Sequence, residues 1–282
     1  MKGSKIVGGM VAAVGSALTW PLPRRDRGKA LAYATERLTP VFEHQTAKGV
    51  LRFACPSRSA FRGVDIALRT EPETMRWLDT HVQAGDCLWD IGANVGAWSL
   101  YAARVREAQV VSFEPSAQSF GALYRNILLN RLDERISAYC IALSDETGAG
   151  TFYLHSAEPG GALNSFGAPE NLHGNFQAEL RQAMFSFRID DFVKQRGVTP
   201  PDHIKLDVDG IEELILKGAV ETLPKVKSLI VECETERPDA DAWYERITAT
   251  LGAAGFRIQA ASPCADGRNE VFLNSRVGAA AT

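Results

Sequence analysis

The chain has 282 residues, a formal net charge of −3 and a hydrophobic content of 45 %. This length supports one α/β core with additions but is short for two full domains. The near-neutral charge argues against a nucleic-acid partner, because it provides no basic footprint for phosphates. The five scattered cysteines include no Cys-x-x-Cys pair. They therefore exclude a disulfide framework or a zinc site of that pattern, and they are typical of a cytoplasmic protein.

The first 45 residues are predicted to form an N-terminal extension, partly helical and partly of low order. Basic residues flank an apolar run of about 15 residues there, which is shorter than the roughly 20 residues that span a bilayer. No small-x-small cleavage site follows, so a secretory signal is disfavoured. We expect a cytoplasmic protein whose residues 1–27 make a weak membrane-surface contact or none. A short helix is predicted at Lys29–Phe42.

Residues 46–278 are predicted to form the main fold. Two apolar-rich stretches within Gly49–Arg69 are separated by polar residues, which predicts a hairpin ahead of the main sheet. A helix is predicted over Glu71–Gln83, with Thr70 as its N-cap and Pro72 in its first turn.

Strands and helices then alternate along the chain. The strands are predicted at 86–91, 109–114, 136–141, 203–208, 228–232, 255–260 and 270–274. The helices between them are predicted at 95–106, 116–130, 210–219 and 239–254. This alternation predicts the α/β class, with a mainly parallel sheet and helices on both faces. The short segment PCADGRN joins the last two strands, which predicts a hairpin there.

A long insertion at about 145–200 interrupts this alternation between the third and fourth main strands. Two strands are predicted within it, TFYLH and FSFRID, on either side of a polar, glycine-rich stretch. The insertion leaves the sheet on its carboxyl side, where open α/β sheets bind ligands. We therefore expect it to be part lid and part substrate wall.

The most informative segment is DCLWDIGANVGAWSLY at 86–101, which predicts a buried strand, a tight turn and the start of a helix. Gly92, Asn94 and Gly96 form the turn. Backbone N–H groups and the positive end of a helix meet at such a turn, and glycines let a ligand approach closely. The turn is thus predicted to bind a nucleotide-like ligand.

The residues of this turn also indicate which ligand would bind. Asn94 replaces the second glycine of the dinucleotide fingerprint, and no Gly-Lys-Ser/Thr of a phosphate loop follows. Asp90 adds a negative charge that disfavours a phosphate and suits an ammonium group. Glu114 follows about 20 residues on, the spacing at which a carboxylate reaches a ribose hydroxyl pair. An amino acid end and a ribose without phosphate fit S-adenosyl-L-methionine.

Several blocks of sequence together identify a family. They are DIGANVGAWSL, FEPSAQSFGALYRNILLN, IALSDETGAGTFYL, RIDDFV, IKLDVDGIEELILKGA and LIVECE. In these blocks, and over roughly residues 50–235, the chain resembles the FkbM-type methyltransferases. The resemblance implies a Rossmann-like class I fold with an antiparallel last strand, and S-adenosyl-L-methionine as the cofactor. It also implies methyl transfer to a hydroxyl oxygen of a sugar, glycolipid, polysaccharide or secondary metabolite.

The resemblance implies two further contact regions. The turn after the third main strand lies near the adenine in this fold, which implies contacts from Ala142, Ser144 or Asp145. A turn-capping role is the alternative for these polar residues. Asn164 matches a polar position that the family carries in the insertion, and it is predicted to bind the substrate or reach the cofactor.

Charged residues alternate along the segment HIKLDVDG, in the predicted strand 203–208 and just after it. Lys205, Asp207 and Asp209 share one face, because alternate strand residues point the same way. Asp207 is predicted to be catalytic, by positioning the methyl donor, orienting the acceptor hydroxyl or accepting its proton. Lys205 is the second catalytic candidate, with neutralisation of nearby carboxylates as the alternative. Asp209 is predicted to cap the next helix.

Glu232 and Glu234 end the following strand at the same edge, and Glu232 is predicted to bind the acceptor. No metal is predicted, because no clear set of ligands converges. His203 is predicted to be structural, since it lies at the opposite end of its strand. His155 and His173 are predicted to be solvated loop residues, with a role as base the alternative.

Two other functions are weighed against O-methyl transfer to a small-molecule, glycan or lipid acceptor. One is a nicotinamide-dependent oxidoreductase, although its G-x-G-x-x-G turn is absent. The other is a methyltransferase-like protein that binds without catalysis, although Asp90, Gly92 and Glu114 are all present. The sequence predicts neither the acceptor itself nor the oligomeric state.

Overall fold

The N-terminal segment contains two helices, α1 (Lys2–Thr19) and α2 (Arg24–Leu38). Both helices lie within the predicted N-terminal extension, and the helix predicted at Lys29–Phe42 starts and ends earlier. Prolines between α1 and α2 separate them, because proline disrupts a helix interior. Within the described residues, no helix combines the length and the apolar character needed to cross a membrane.

The computed structural model describes residues 2–171, 173–233, 237–259 and 269–277. The chain divides into two compact units, Met1–Val41 and Phe42–Thr282. The division lies close to the predicted end of the N-terminal extension. The glycine turn and the main sheet belong to the second unit.

The hairpin ahead of the main sheet lies one segment earlier than predicted. It pairs β1 (Val41–Thr46) with β2 (Gly49–Ala54), whereas the predicted second strand is part of helix α3 (Arg58–Thr70). The prediction was wrong because the apolar residues of this stretch recur with the helical period. The buried side chains of α3 are Ala60, Val64, Ala67 and Leu68.

Glu71 separates α3 from α4 (Pro72–His81). Its backbone is not helical (φ −115°, ψ 60°), because a following proline disfavours the helical conformation. Thr70 ends α3 and does not cap α4, so that prediction was also wrong.

The main sheet has seven strands, as predicted. The further strands in chain order are β3 (Cys87–Ile91), β4 (Gln109–Phe113), β5 (Ile136–Tyr139), β6 (Ala142–Leu143), β7 (Gly148–Leu154), β8 (Ser165–Phe166), β9 (Glu170–Asn171), β10 (Gly174–Asn175), β11 (Leu180–Phe187), β12 (His203–Leu206), β13 (Ser228–Glu232), β14 (Phe256–Ile258) and β15 (Asn269–Asn274). The sheet order is β14-β15-β13-β12-β3-β4-β5. Strands β13 to β5 are parallel, and β15 is antiparallel to both of its neighbours. The predicted α/β Rossmann-like fold is confirmed, while the PCADGRN turn lies outside the described residues except for Asn269.

Helices cover both faces of this sheet. They are α5 (Ala97–Tyr101), which continues as a π-helix (Ala102–Arg106), α6 (Ala117–Leu129), α7 (Ile189–Phe192), α8 (Glu212–Lys217) and α9 (Ala240–Ala253). Leu88 of β3 belongs to the same apolar cluster as Leu123 of α6. Its neighbour Trp89 belongs to the opposite cluster, with Trp243 of α9. Alternation along β3 thus supplies both cores.

The insertion forms a second sheet in the order β6-β11-β7-β8. The two strands predicted in it correspond to β7 and β11, which pair antiparallel over seven residue pairs. The glycine-rich stretch between them contributes only the short strands β8, β9 and β10. Part of this stretch lines the cavities at the carboxyl edge of the main sheet.

Candidate active site

Two adjoining cavities lie at the carboxyl ends of the parallel strands. The large cavity has a volume of about 600 Å³, and the small cavity about 130 Å³. Gly92, Asn94, Gly161, Ala162 and Asp207 line both of them. The glycine turn, the end of β12 and the insertion therefore meet where the cavities adjoin.

The glycine turn is closely packed against the end of β12. Gly92 has a φ of 82°, and a Cβ added there would lie 1.8 Å from the carbonyl oxygen of Asp207. Asn94 also has a left-handed backbone, with a φ of 50°. Its Oδ1 is buried and has no hydrogen-bond partner among the described residues. Because an unpaired buried acceptor is unfavourable, this atom is suited to a donor on a ligand.

Gly96 has a different role from Gly92. Its φ is 92°, and an added Cβ would lie 2.5 Å from Leu123 Cδ1. The glycine therefore allows α5 to pack closely against α6. It supports the turn without lining either cavity.

Asp90, predicted to bind an ammonium group, lies beneath the turn. Its side chain is only 1 % exposed, and Ser99 Oγ donates a hydrogen bond to its Oδ2. Lys205 Nζ lies 3.9 Å from Oδ1. Burial raises the pKa of Asp90, while Lys205 and Ser99 oppose the rise. The carboxylate thus faces the interior of the protein, where it supports both the turn and Lys205.

Glu114 fixes the turn from the end of β4. Its carboxylate accepts hydrogen bonds from the backbone N–H groups of Asn94 and Ser116, each at 2.8 Å. Burial raises the pKa of Glu114 to about 7, against the effect of these two donors. The residue lines the small cavity, and its contact with a ribose stays a prediction.

The turn after β5 meets the small cavity through apolar residues. Ile141, Ala142 and Leu143 line the cavity. Ser144 and Asp145, which were predicted to contact the cofactor, lie outside both cavities. The N–H group of Ser144 instead donates to Phe187 O at 3.0 Å, and its Oγ donates to Asp145 at 3.2 Å. The structure therefore brings Ala142, rather than the two polar residues, to this site.

Asn164 holds the insertion in place beside the small cavity. Its Oδ1 accepts the backbone N–H of His155 at 2.9 Å, and that of Ser156 at 3.4 Å. Its own N–H donates to Asp209 Oδ2 at 3.2 Å. Helix α8 begins after Ile211, whose side chain provides no cap, and capping by Asp209 stays a prediction. Asp209 binds the insertion through its bond with Asn164.

Lys205 and Asp207 form an ion pair at the end of β12. Burial opposes the charge of Lys205, but the nearby carboxylates of Asp207, Asp90 and Glu71 raise its pKa. Burial likewise opposes the charge of Asp207, but Lys205 and a hydrogen bond with Glu232 lower its pKa. Both members of the pair are therefore charged at neutral pH. Glu232 reaches the site through Asp207, and Glu234 lies outside the described residues.

Glu71 is a residue of the site that the sequence did not reveal. It lines the large cavity together with Lys205 and Asp207. Trp98 Nε1 donates a hydrogen bond to its Oε2 at 3.2 Å. Burial and repulsion by Asp207 raise the pKa of Glu71 to about 7, although Lys205 and Trp98 oppose this. In the sequence, Pro72 indicates a break in the helix at Glu71, but it does not indicate that the Glu71 side chain points into the cavity.

The large cavity has a mixed polar and aromatic wall. Arg62 of α3, Trp98 of α5 and His155 of the insertion line it. His173 does not line either cavity, and His203 is buried at the other end of β12. In the described part of the chain, no cluster of three or more His, Cys, Asp or Glu residues could hold a metal ion.

Residues 90–258 match the family described as the Methyltransferase FkbM domain, and this range includes the turn, Glu114 and the end of β12. The chain belongs to the FkbM methyltransferase family. The predicted family and the predicted methyltransferase activity, dependent on S-adenosyl-L-methionine, are thereby confirmed. The match favours neither the oxidoreductase nor the non-catalytic alternative.

Curated relatives of this FkbM-family chain include two named methyltransferases. It is 26 % identical over 202 residues to the 31-O-demethyl-FK506 methyltransferase FkbM of Streptomyces tacrolimicus, covering 64 % of this chain and 75 % of that protein. It is 29 % identical over 167 residues to the hexuronic acid methyltransferase AglP of Haloferax volcanii, covering 58 % and 63 % respectively. The chain thus spans less than two thirds of the second relative.

Proposed function

We propose that this protein methylates a hydroxyl group, with S-adenosyl-L-methionine bound across the two adjoining cavities. The observation that supports this most directly is the junction between them. There Gly92 leaves no space for a Cβ, and Asn94 presents a buried acceptor without a partner. The bound cofactor would supply a methyl group on a positively charged sulfur, from which an acceptor oxygen can displace it.

The small cavity suits the adenosine end of this cofactor. Phe113, Ala142 and Phe152 provide apolar surface for a flat ring. Glu114 would accept hydrogen bonds from ribose hydroxyl groups, since its carboxylate is held at the cavity by two N–H groups. Asp90 would act on the amino acid end indirectly, by holding the turn through Ser99.

Asp207 and Lys205 would act where the two cavities meet. Asp207 remains ionised because Lys205 is beside it, so it is a weak proton acceptor but a good hydrogen-bond acceptor. We assign it the orientation of the acceptor hydroxyl. Lys205 keeps Asp207 ionised and is itself too strongly protonated to serve as a base. Holding two reactants in line is expected to supply much of the rate acceleration.

The part of the large cavity beyond the junction is the proposed acceptor site. The volume of the whole large cavity, about 600 Å³, is in the range of small-molecule sites. Arg62, Trp98 and Ser59 offer it both hydrogen-bonding groups and a ring surface. The names of the relatives include a hexuronic acid methyltransferase and a methyltransferase of a demethylated FK506. The proposed acceptor class is therefore a sugar, glycan or glycolipid, or a secondary metabolite. Asn164 and Glu232 would support the walls of the acceptor site through His155 and Asp207.

A cytoplasmic location is proposed for the protein. Its N-terminal residues 1–27 are proposed to make a weak contact with a membrane surface. Ile6, Leu18 and Trp20 are 58 %, 75 % and 73 % exposed, and arginines follow them. Apolar and basic residues together favour an anionic membrane surface. Co-sedimentation with phosphatidylglycerol vesicles is expected to be stronger than with phosphatidylcholine vesicles. Equal absence of binding to both would contradict this contact.

Calorimetry and methyl transfer test the central proposal. The protein is expected to bind S-adenosyl-L-methionine, and Gly92→Ala is expected to abolish binding. Gly121→Ala is the matched control, because an added Cβ there meets nothing within 4 Å. Radiolabelled methyl groups should then enter a sugar, lipid or metabolite fraction of cell extract. Binding without any transfer would favour the non-catalytic alternative, and absence of binding would overturn the proposal.

A further inference from the structure

We propose that Glu71 is the general base that takes the proton from the acceptor hydroxyl; this inference rests on the proposed function. Glu71 lines the large cavity at the break between α3 and α4. Because Pro72 follows, the break is part of the local chain structure. The side chain therefore does not depend on a mobile loop for its position.

The hydrogen bonds of Glu71 leave one carboxylate oxygen available. Trp98 Nε1 donates to Oε2 at 3.2 Å, and Thr74 Oγ1 donates to the same oxygen at 3.5 Å. No described residue donates a hydrogen bond to Oε1. Trp98 and Thr74 thus orient the carboxylate, while Oε1 can receive a proton from a molecule in the cavity.

The other acidic groups near the junction are less suited to accept this proton. Asp207 is engaged by both Lys205 and Glu232. Asp90 is 1 % exposed and bonded to Ser99. Glu114 faces the small cavity and accepts two backbone N–H groups. Of these four carboxylates, Glu71 alone lines the large cavity without a salt bridge to Lys205 among the described residues.

The charges around Glu71 and its burial bring its pKa close to neutral pH, where a general base is effective. Lys205 of β12 and Asp207, which follows that strand, act on it with opposite signs, and Glu73 of α4 adds weak repulsion. Arg62 of α3 and His155 of the insertion line the same cavity. Burial is the largest of the effects that raise the pKa of Glu71 to about 7. A base with such a pKa is largely ionised at pH 8 and still accepts a proton readily.

The proposed step conserves atoms and charge. The acceptor oxygen forms the new bond to the methyl carbon, and the bond from that carbon to sulfur breaks with its electron pair staying on sulfur. The hydroxyl proton moves to Oε1 of Glu71 and later leaves to solvent. The sulfur becomes neutral, and the released proton carries the positive charge to solvent.

Glu71→Gln tests the proposal, with Glu134→Gln as a control at an exposed position. The first variant is expected to lower methyl transfer into cell extract, at saturating cofactor, by about 100-fold or more. Calorimetry should find cofactor affinity within about twofold of the wild type. The wild-type rate should fall as pH decreases through about 7, and this dependence should disappear in the variant. In ¹³C NMR of carboxyl-labelled glutamate, a signal that titrates near pH 7 should be lost from the folded variant.

The outcomes separate the base from its rivals. An unchanged transfer rate in Glu71→Gln would overturn the proposal while leaving methyl transfer intact. Loss of cofactor affinity in proportion to the rate would also overturn it and would make Glu71 a binding residue. If the wild-type protein transfers no methyl group to any fraction, the proposed function fails and the inference fails with it.

Discussion

Two groups of charged residues lie at opposite ends of β12, and they differ in how their charges are paired. At the amino end, His203 contacts Ser228 at 2.7 Å and Asp86 at 3.1 Å. Lys227 contacts Asp86 at 2.7 Å and Asp202 at 2.9 Å. We call these residues the amino-end cluster. Its polar groups are engaged with one another, which is typical of a structural network.

The carboxyl-end cluster consists of Glu71, Asp90, Lys205 and Asp207. Here the ammonium group of Lys205 faces three carboxylates. Oδ1 of Asp90 is buried without a hydrogen bond among the described residues, and the large cavity begins beside Asp207. Unbalanced charge next to a cavity is a feature of functional sites. The same strand therefore supports stability at one end and chemistry at the other.

The largest expected effect separates the two clusters by activity. Asp207→Asn is expected to lower turnover by about 100-fold or more, because it removes the ionised acceptor that orients the substrate hydroxyl. Asp86→Asn at the amino end should leave turnover per folded molecule within about twofold. Initial rates normalised to folded protein would measure both. Similar losses in the two variants would remove the functional distinction between the clusters.

The next effect concerns the cofactor. Glu114→Gln is expected to weaken S-adenosyl-L-methionine binding about tenfold or more, since charged hydrogen bonds contribute about 1.5–3 kcal/mol. Affinity in the wild type should rise as pH increases through about 7, where Glu114 ionises. Calorimetry at pH 6 and pH 8 measures this, with Glu134→Gln as the exposed control. An affinity independent of both pH and residue 114 would exclude a ribose contact.

The sequence predicted one cluster better than the other for physical reasons. Strand periodicity places Lys205 and Asp207 at the carboxyl edge, and spacing links Glu114 to the turn. Glu71 was missed because its approach to Asp207 depends on packing between residues far apart in the chain. Ser144 was assigned to the ligand because a turn sequence does not specify which of its residues faces a cavity. Local pattern thus predicted the sheet edge, whereas side-chain direction required the tertiary structure.

A smaller effect is expected on stability at the amino end. Burial opposes the charge of Asp86, but bonds from Lys227, the Gln83 N–H and His203 lower its pKa. Because the folded-state pKa is depressed, this stabilisation is present above the unfolded value of about 4 and is lost as pH falls through the folded value. Asp86→Asn should therefore lower the free energy of unfolding at pH 7 by about 1–3 kcal/mol. Urea denaturation measures this, and an unchanged midpoint would contradict it.

The last prediction has the opposite sign at the carboxyl end. The pKa of Glu71 is about 7 in the folded protein, above the ordinary 4.5, so its ionisation destabilises the folded state. The stability associated with its proton is fully present below pH 4.5 and is lost as pH rises through about 7. Glu71→Gln keeps the residue neutral, so it should raise the urea midpoint at pH 8 and leave it nearly unchanged at pH 4.5. A lower midpoint at pH 8 would instead show that Glu71 stabilises the fold as Asp86 does. A higher midpoint together with lost turnover would mean that the charge of Glu71 is maintained for chemistry at a cost in stability.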